Sequence, residues 1–496
     1  MPYSAGVQKM NFNSLAFLIF LPAVLILWRV LPPKFRWVEL LISSYVFYAW
    51  FNALLLIPII AITFISYFAA RGIAAGKTKK IKKTLLALTL TACLGTLFAF
   101  KYLDFCVGLG YSIANLFGAK ATFAGFNIIL PMGISFYTFQ TLSYVIDVYR
   151  GTAEPERHYG YYSLFVVFFP QLVAGPIERP QNLIPQLHAA KNPNADDIAL
   201  GVRKIIIGYA KKIIVADFVA KFVDFAYSSA DSSGTVYAVA TALFAIQIYC
   251  DFSGYTDIAI GCAWLMGIKL SENFARPYSA GSIREFWRRW HISLSSWFSD
   301  YVYKPLGGNR KGLWRQCLNL FIVFLLSGLW HGASLNFVVW GALHGAFLII
   351  NTLYSAVRKK SAYLTRASAK KWYKALAHIL TLIAVWFAWI FFRAPSLGAA
   401  GNAIAAIFTD ATFDITKILA GLGMNINELF TLGLALSLLV IIEDLPVYRV
   451  NTLPLARVEN QGALALTYFA AFTAIAFFWL SAIASGGTGA FIYFRF

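Results

Sequence analysis

Charge-free apolar stretches alternate along the chain with short basic clusters. Those without Asp, Glu, Lys or Arg include Leu40–Ala70, Thr84–Phe100, Ala121–Ile146, Gln316–Val357, Ala375–Phe392 and Asn460–Phe494. A hydrocarbon core about 30 Å thick is crossed by a helix of roughly 17–25 apolar residues, and each stretch is long enough. Leu40–Ala70 predicts two shorter helices broken near Phe51-Asn52, and Gln316–Val357 predicts two helices with a break. Ser14–Leu31 could pass for a secretory signal. It exceeds a usual signal core, though, no small-residue cleavage pattern follows, and Pro32-Pro33 ends it. It reads as a retained first helix.

Three regions fit neither a clean span nor a polar loop. Tyr161–Pro180 is apolar but carries Pro170, Gly175, Pro176 and Pro180. In Ala199–Tyr227, Arg203, Lys204, Lys211, Lys212 and Lys221 alternate with Ile and Val. Ser282–Tyr303 mixes aromatic residues with Arg284, Arg288, Arg289 and His291. Such segments lie at the interface or re-enter the membrane where protein covers them. No internal repeat, low-complexity segment or dividing linker is visible, so residues 1–496 read as one transmembrane domain. The expected fold class is an all-α polytopic membrane protein. It would have roughly 11 transmembrane helices plus re-entrant or interfacial ones.

Composition agrees with this pattern. Of 496 residues, 59% are hydrophobic and 13% charged, against roughly 45–50% and about 25% in soluble proteins. That excludes disorder, collagen and coiled coil. The balance of 42 Lys+Arg against 22 Asp+Glu gives +20, which in a soluble chain would suggest nucleic acid. Here the basic clusters fall between apolar runs, so they read as cytoplasmic loops, with no nucleic-acid partner implied. Arg71–Lys83 and Arg358–Lys374 are the two clearest such loops. If Lys34 and Arg36 also face the cytoplasm, the N-terminus lies outside. Basic residues can also attract lipid headgroups or a phosphate-bearing donor.

Five cysteines sit in apolar surroundings without metal spacing and read as small buried hydrophobes. Among the six histidines, His331 stands deep in a charge-free stretch, within Ser327–Ser334 (SGLWHGAS). An ionisable ring at that depth marks a functional site by default, the alternative being a histidine bonded between helices. Gly328 and Gly332 leave room beside it. His291 lies in Glu285–Ser295 (EFWRRWHISLS). On a continuous helix it would share a face with Trp287 at i, i+4, while Arg288 and Arg289 turn away. The arginines fit an interfacial anchor equally well. His344, in Trp340–Gly345 (WGALHG), either faces the same cavity or bonds a neighbouring helix. His158, His188 and His378 lie near presumed membrane edges and carry no special reading. Zinc bound by His291, His331 and His344 is disfavoured, because no carboxylate falls at helical spacing beside them. A Ser-His-Asp triad lacks its Gly-x-Ser-x-Gly elbow. Asp251 and Asp257 interrupt an apolar run, either pairing with Arg276, Arg284 or Arg289 or lining a path.

The segment Phe286–Asn309 (FWRRWHISLSSWFSDYVYKPLGGN), followed by Leu326–Gly345 (LSGLWHGASLNFVVWGALHG), resembles the signature of the membrane-bound O-acyltransferase family, in its bacterial alginate-acetylating branch. Pro131–Arg150, Phe169–Pro180 and the closing Phe491–Phe496 (FIYFRF) match the same branch in order. The resemblance implies that His331 is the family's histidine and His291 its second catalytic residue. It makes Trp287, Trp290, Arg288 and Arg289 candidates for substrate contact, with Trp330, Asn336, His344 and Asp257. It implies helices around a central tunnel in the bacterial inner membrane. The donor would be acetyl-CoA or another acyl thioester, with no metal. The acceptor would be an extracytoplasmic transferase or polysaccharide such as alginate, with a polysaccharide synthase complex nearby. Peptidoglycan O-acetylation and teichoic acid D-alanylation use the same chemistry. A transporter would be expected to show paired halves, and a scaffold would need no ionisable residue in mid-membrane.

Overall fold

A computed structural model describes residues 10–444 except Asn127, Ala230, Asp231, Ala411 and Thr412, together with residues 473, 475–478, 480 and 491. Apart from a few positions, the expected span Asn460–Phe494 and the closing motif Phe491–Phe496 lie outside these residues. Among the described residues every regular element is a helix, and seven helices are long and apolar enough to cross a membrane. The expected eleven are not reached within them. Leu15–Val30 and Leu397–Thr409 are shorter apolar helices. The chain divides into two compact units, Met1–Ile206 with Tyr255–Ser271, and Ile207–Gly254 with Glu272–Phe496.

In the first unit, Ser14 caps Leu15–Val30 by accepting from the Phe17 N–H, and Pro33 opens Pro33–Ala49 at a position where a missing N–H is harmless. The break expected near Phe51-Asn52 is present: Asn52 caps the short turn Ala53–Leu55, which leads into Leu56–Ala75. Ala121–Ile146 is not one span. Pro131 and a left-handed Gly133 (φ 71°) interrupt it, and the helix is Ile134–Arg150. The proline-rich region is covered by protein, as expected. Phe165, Val166, Phe168 and Ala174 are wholly buried between the short helices Tyr159–Val167 and Phe169–Leu172 and just beyond them. Its irregular backbone is satisfied by side chains. Gln140 and Gln171 both donate from Nε2 to the Phe165 carbonyl, at 2.6 and 2.7 Å, and the Phe169 N–H donates to Ser44 Oγ at 3.1 Å.

The amphipathic region follows the second of its two expected alternatives, cover by protein. It forms Ala195–Tyr209, the π-helical Ala210–Asp217 and Phe218–Ser228, but Lys204, Lys211 and Lys212 are buried rather than reaching an interface. They meet acids. Lys204 Nζ lies 3.0 Å from Asp257 in the first unit. In the second, Lys212 Nζ bridges Asp251 at 2.6 Å and Asp217 at 2.8 Å. Asp251 and Asp257 belong to the helix Gly234–Trp264, and Asp217 ends Ala210–Asp217. The sequence suggests Arg276, Arg284 or Arg289 as partners for Asp251 and Asp257, whereas Lys212 and Lys204 lie against them.

In the second unit, Gln316–Val357 breaks in two as expected, into Gly312–His331 and Leu335–Lys360. These helices touch backbone to backbone. A Cβ on Gly328 would collide with the Phe337 carbonyl oxygen, and one on Gly341 with that of Phe324. Small residues permit such contact where lipid offers no hydrophobic drive to associate. Of the cysteines, Cys93, Cys250, Cys262 and Cys317 are buried, but Cys106 is exposed.

Candidate active site

His331 is the last residue of its helix. Gly332 follows in an extended conformation, and Ser334 caps the next helix by accepting from the Asn336 N–H at 3.3 Å. A three-residue turn therefore holds the imidazole at a helix end, 3% exposed. Aromatic rings wall it. Trp330 and Trp340 lie at centroid distances of 5.0 Å, and Phe392 at 5.4 Å, all steeply inclined to it. Asn336, one residue into the next helix, is buried. Its Nδ2 donates to the Ala394 carbonyl at 2.7 Å, tying the start of Leu335–Lys360 to the residue that follows Lys371–Arg393.

His291 does not sit on a continuous helix. Ile283–Arg289 ends before it, Ile292–Phe298 begins after it, and His291 itself adopts a left-handed conformation at φ 43°. Two backbone bonds impose the break: the Ala275 N–H donates to the Arg289 carbonyl at 2.9 Å, and the Ile292 N–H to that of Asn273 at 3.0 Å. Left-handed backbone costs a non-glycine residue roughly 1–2 kcal/mol and persists where its surroundings over-determine it, often at functional sites. The expected i, i+4 face shared with Trp287 is thus absent. Trp287 turns instead to His344, donating from Nε1 to Nδ1 at 3.2 Å.

Asn273, which the sequence reading missed, orients His291. Its Oδ1 accepts from the Ser293 N–H at 3.2 Å and from Ser293 Oγ at 2.6 Å, and lies 3.4 Å from His291 Nδ1. A backbone N–H can only donate, so the Asn273 atom is oxygen and His291 Nδ1 carries hydrogen. The lone pair of the neutral ring then belongs to Nε2. The ring is wholly buried, 4.7 Å from Phe252 and 5.8 Å from Trp330 between centroids, so the same indole lies against both His291 and His331. His291 lies outside the apolar spans, and burial pushes its pKa below the ordinary imidazole value.

The remaining candidates disperse. Trp290 is buried against Phe286, Phe274 and Trp389. Arg288 is exposed, and Arg289 is engaged by Glu285 at 2.5 Å and Ser279 Oγ at 2.6 Å. Asp257 lies in the other unit with Lys204. Arg276 lines a cavity of about 470 Å³ with Tyr249, Tyr278, Ser279, His378 and Glu443. No group of three His, Cys, Asp or Glu residues among the described residues is placed to hold a metal. The cluster offers imidazole nitrogens in an aromatic enclosure, which suits proton transfer from a hydroxyl.

Residues 40–393 match the sequence profile of the membrane-bound O-acyltransferase family. The chain is 37% identical over 412 residues to a Pseudomonas aeruginosa protein named probable alginate O-acetylase AlgI, covering 82% of this chain and 77% of that protein. A peptidoglycan O-acetyltransferase of Helicobacter pylori is 37% identical over 395 residues, covering 74% of this chain and 73% of that one. A teichoic acid D-alanyltransferase of Bacillus subtilis is 28% identical over 278 residues, covering 54% and 69%. A multi-pass membrane protein with this match is an acyltransferase, and the chain belongs to the membrane-bound O-acyltransferase family.

Proposed function

We propose that this enzyme moves an acetyl group from a cytoplasmic thioester, acetyl-CoA, toward O-acetylation of an extracytoplasmic polysaccharide of the alginate type. The chain would work as one transmembrane domain in a bacterial inner membrane, with its N-terminus outside. The placement of His331 at a helix end inside an aromatic enclosure carries the reading. His331 acts as general base. It takes the proton of the acceptor hydroxyl while that oxygen attacks the thioester carbonyl. The C–S bond breaks, the ester forms, and the departing thiolate receives the proton. General base catalysis of this kind contributes roughly 10²–10⁴-fold.

The tautomer of His291 refines its role. With Nδ1–H directed to Asn273, Nε2 accepts hydrogen bonds, so the ring orients a hydroxyl rather than polarising a carbonyl. Arg276, exposed Arg288 and Arg289 would draw in the donor's phosphates. The immediate acceptor is a partner transferase on the outer face or the glycan itself. Names of relatives favour alginate over peptidoglycan only through the longer match.

The test is incubation of purified, correctly inserted protein with labelled acetyl-CoA and acceptor. Transfer should depend on His331, and a His291→Ala variant should bind acceptor less well. Undiminished transfer by His331→Ala would remove the general-base assignment.

A further inference from the structure

We infer that His344 is a positioning residue, fixed in one neutral tautomer by Trp287, that sets Trp340 against His331. The inference rests on the reading of His331 as the base. It starts from one hydrogen bond. An indole N–H can only donate, so His344 Nδ1, 3.2 Å from Trp287 Nε1, must accept, and the ring hydrogen sits on Nε2. Protonating Nδ1 would set two N–H groups against each other. Nε2 has no hydrogen-bond partner among the described residues, and the ring is wholly buried. Its surroundings are rings: Trp340 at 4.8 Å, Trp287 at 5.0 Å, Phe347 at 5.9 Å and Phe324 at 6.3 Å between centroids. No path for carrying a proton is evident there.

The placement points to mechanical support instead. Trp340, wholly buried, meets two imidazoles steeply inclined, His344 at 66° and His331 at 83° with centroids 5.0 Å apart. Trp287 also packs on Trp340, at 5.7 Å. Trp287, His344, Trp340 and His331 thus form one chain of contacts. The hydrogen bond at its far end restricts rotation of the His344 ring, on which Trp340 rests. From the sequence, His344 either faces the cavity or bonds a neighbouring helix. The structure assigns it to the second role with a consequence for the first site.

The experiment compares His344→Leu, which removes the acceptor, with His344→Asn, whose Oδ1 replaces Nδ1, and Trp287→Phe, which removes the donor. In His344→Leu, kcat should fall roughly ten- to a hundredfold with KM for acetyl-CoA unchanged, the range in which misplacement of a reacting group is felt. His344→Asn should recover most of that loss. Trp287→Phe should add nothing when combined with His344→Leu. Nitrogen-15 NMR of histidine-labelled wild type should show an imidazole with unprotonated Nδ1 and protonated Nε2 that does not titrate with the pH–rate profile, and whose signal changes in Trp287→Phe. Wild-type kcat in His344→Leu would overturn the proposal, as would a His344 signal that titrates with activity. Should His344→Leu fail to insert, Trp287→Phe and the NMR signal decide alone. If His331→Ala keeps its activity, the reading of His331 fails, while the tautomer and the pairing with Trp287 are still judged by NMR.

Discussion

Two regions of this chain place polar side chains in apolar surroundings and handle them in opposite ways. Between Ala195–Asp217 and the helix Gly234–Trp264, charge meets charge, with Lys204 on Asp257 and Lys212 on Asp251 and Asp217. Around His291, His331 and His344 the side chains are imidazoles, and the walls are Trp287, Trp330, Trp340, Phe252 and Phe392. A buried charge is tolerable only beside its opposite, so the first region commits its ionisable groups to one another. A neutral imidazole needs no countercharge and keeps a basic nitrogen. On the proposed reading, the first region holds helices together and the second exchanges a proton.

The largest expected effect lies in the second region. His331→Ala should lower turnover by roughly 10²–10⁴-fold, measured as acyl transfer per inserted molecule. In the first region, Asp257→Ala removes the carboxylate 3.0 Å from buried Lys204 and should destabilise the protein by about 1–3 kcal/mol, read from unfolding in detergent. Replacing both Lys204 and Asp257 by Met should cost less than Asp257→Ala alone, because the two charges of this pair leave together. Between helices Gly312–His331 and Leu335–Lys360, Gly328→Ala forces a Cβ onto the Phe337 carbonyl and should cost about 1–3 kcal/mol. The smallest effect is on acid stability. His291 has its pKa lowered by burial, so the unfolded chain binds the proton more readily. Its contribution is complete above the ordinary value of 6.5 and is lost as pH falls below it. A His291→Asn variant should therefore lose less stability on acidification than wild type, and an equal loss would contradict the burial argument.

What the sequence disclosed followed from local rules. A charge-free run too long for one span predicts a helix break within Gln316–Val357, and the structure places it just after His331. Pro32-Pro33 and Asn52 marked helix ends by their backbone chemistry. What stayed hidden depended on distant partners. Lys204 and Asp257 come from separate segments, so alternating Lys and Ile fits an interfacial face as well as one covered by protein. Asn273 has no periodic signal, yet with its neighbours it breaks the helix that the sequence predicts through His291. That break redirects Trp287 from His291 to His344. Ala121–Ile146 read as a span because charge was counted, while Pro131 and Gly133 governed the backbone.

The contrast is tested most directly by measuring acetyl transfer and unfolding side by side in two proteins, His331→Ala and the double variant Lys204→Met, Asp257→Met. The account predicts that the first inserts normally but transfers at least a hundredfold more slowly, within the range for a lost general base. It predicts that the double variant, once folded, transfers at close to the wild-type rate. Normal transfer by His331→Ala, or loss of transfer by a well-folded double variant, would contradict it.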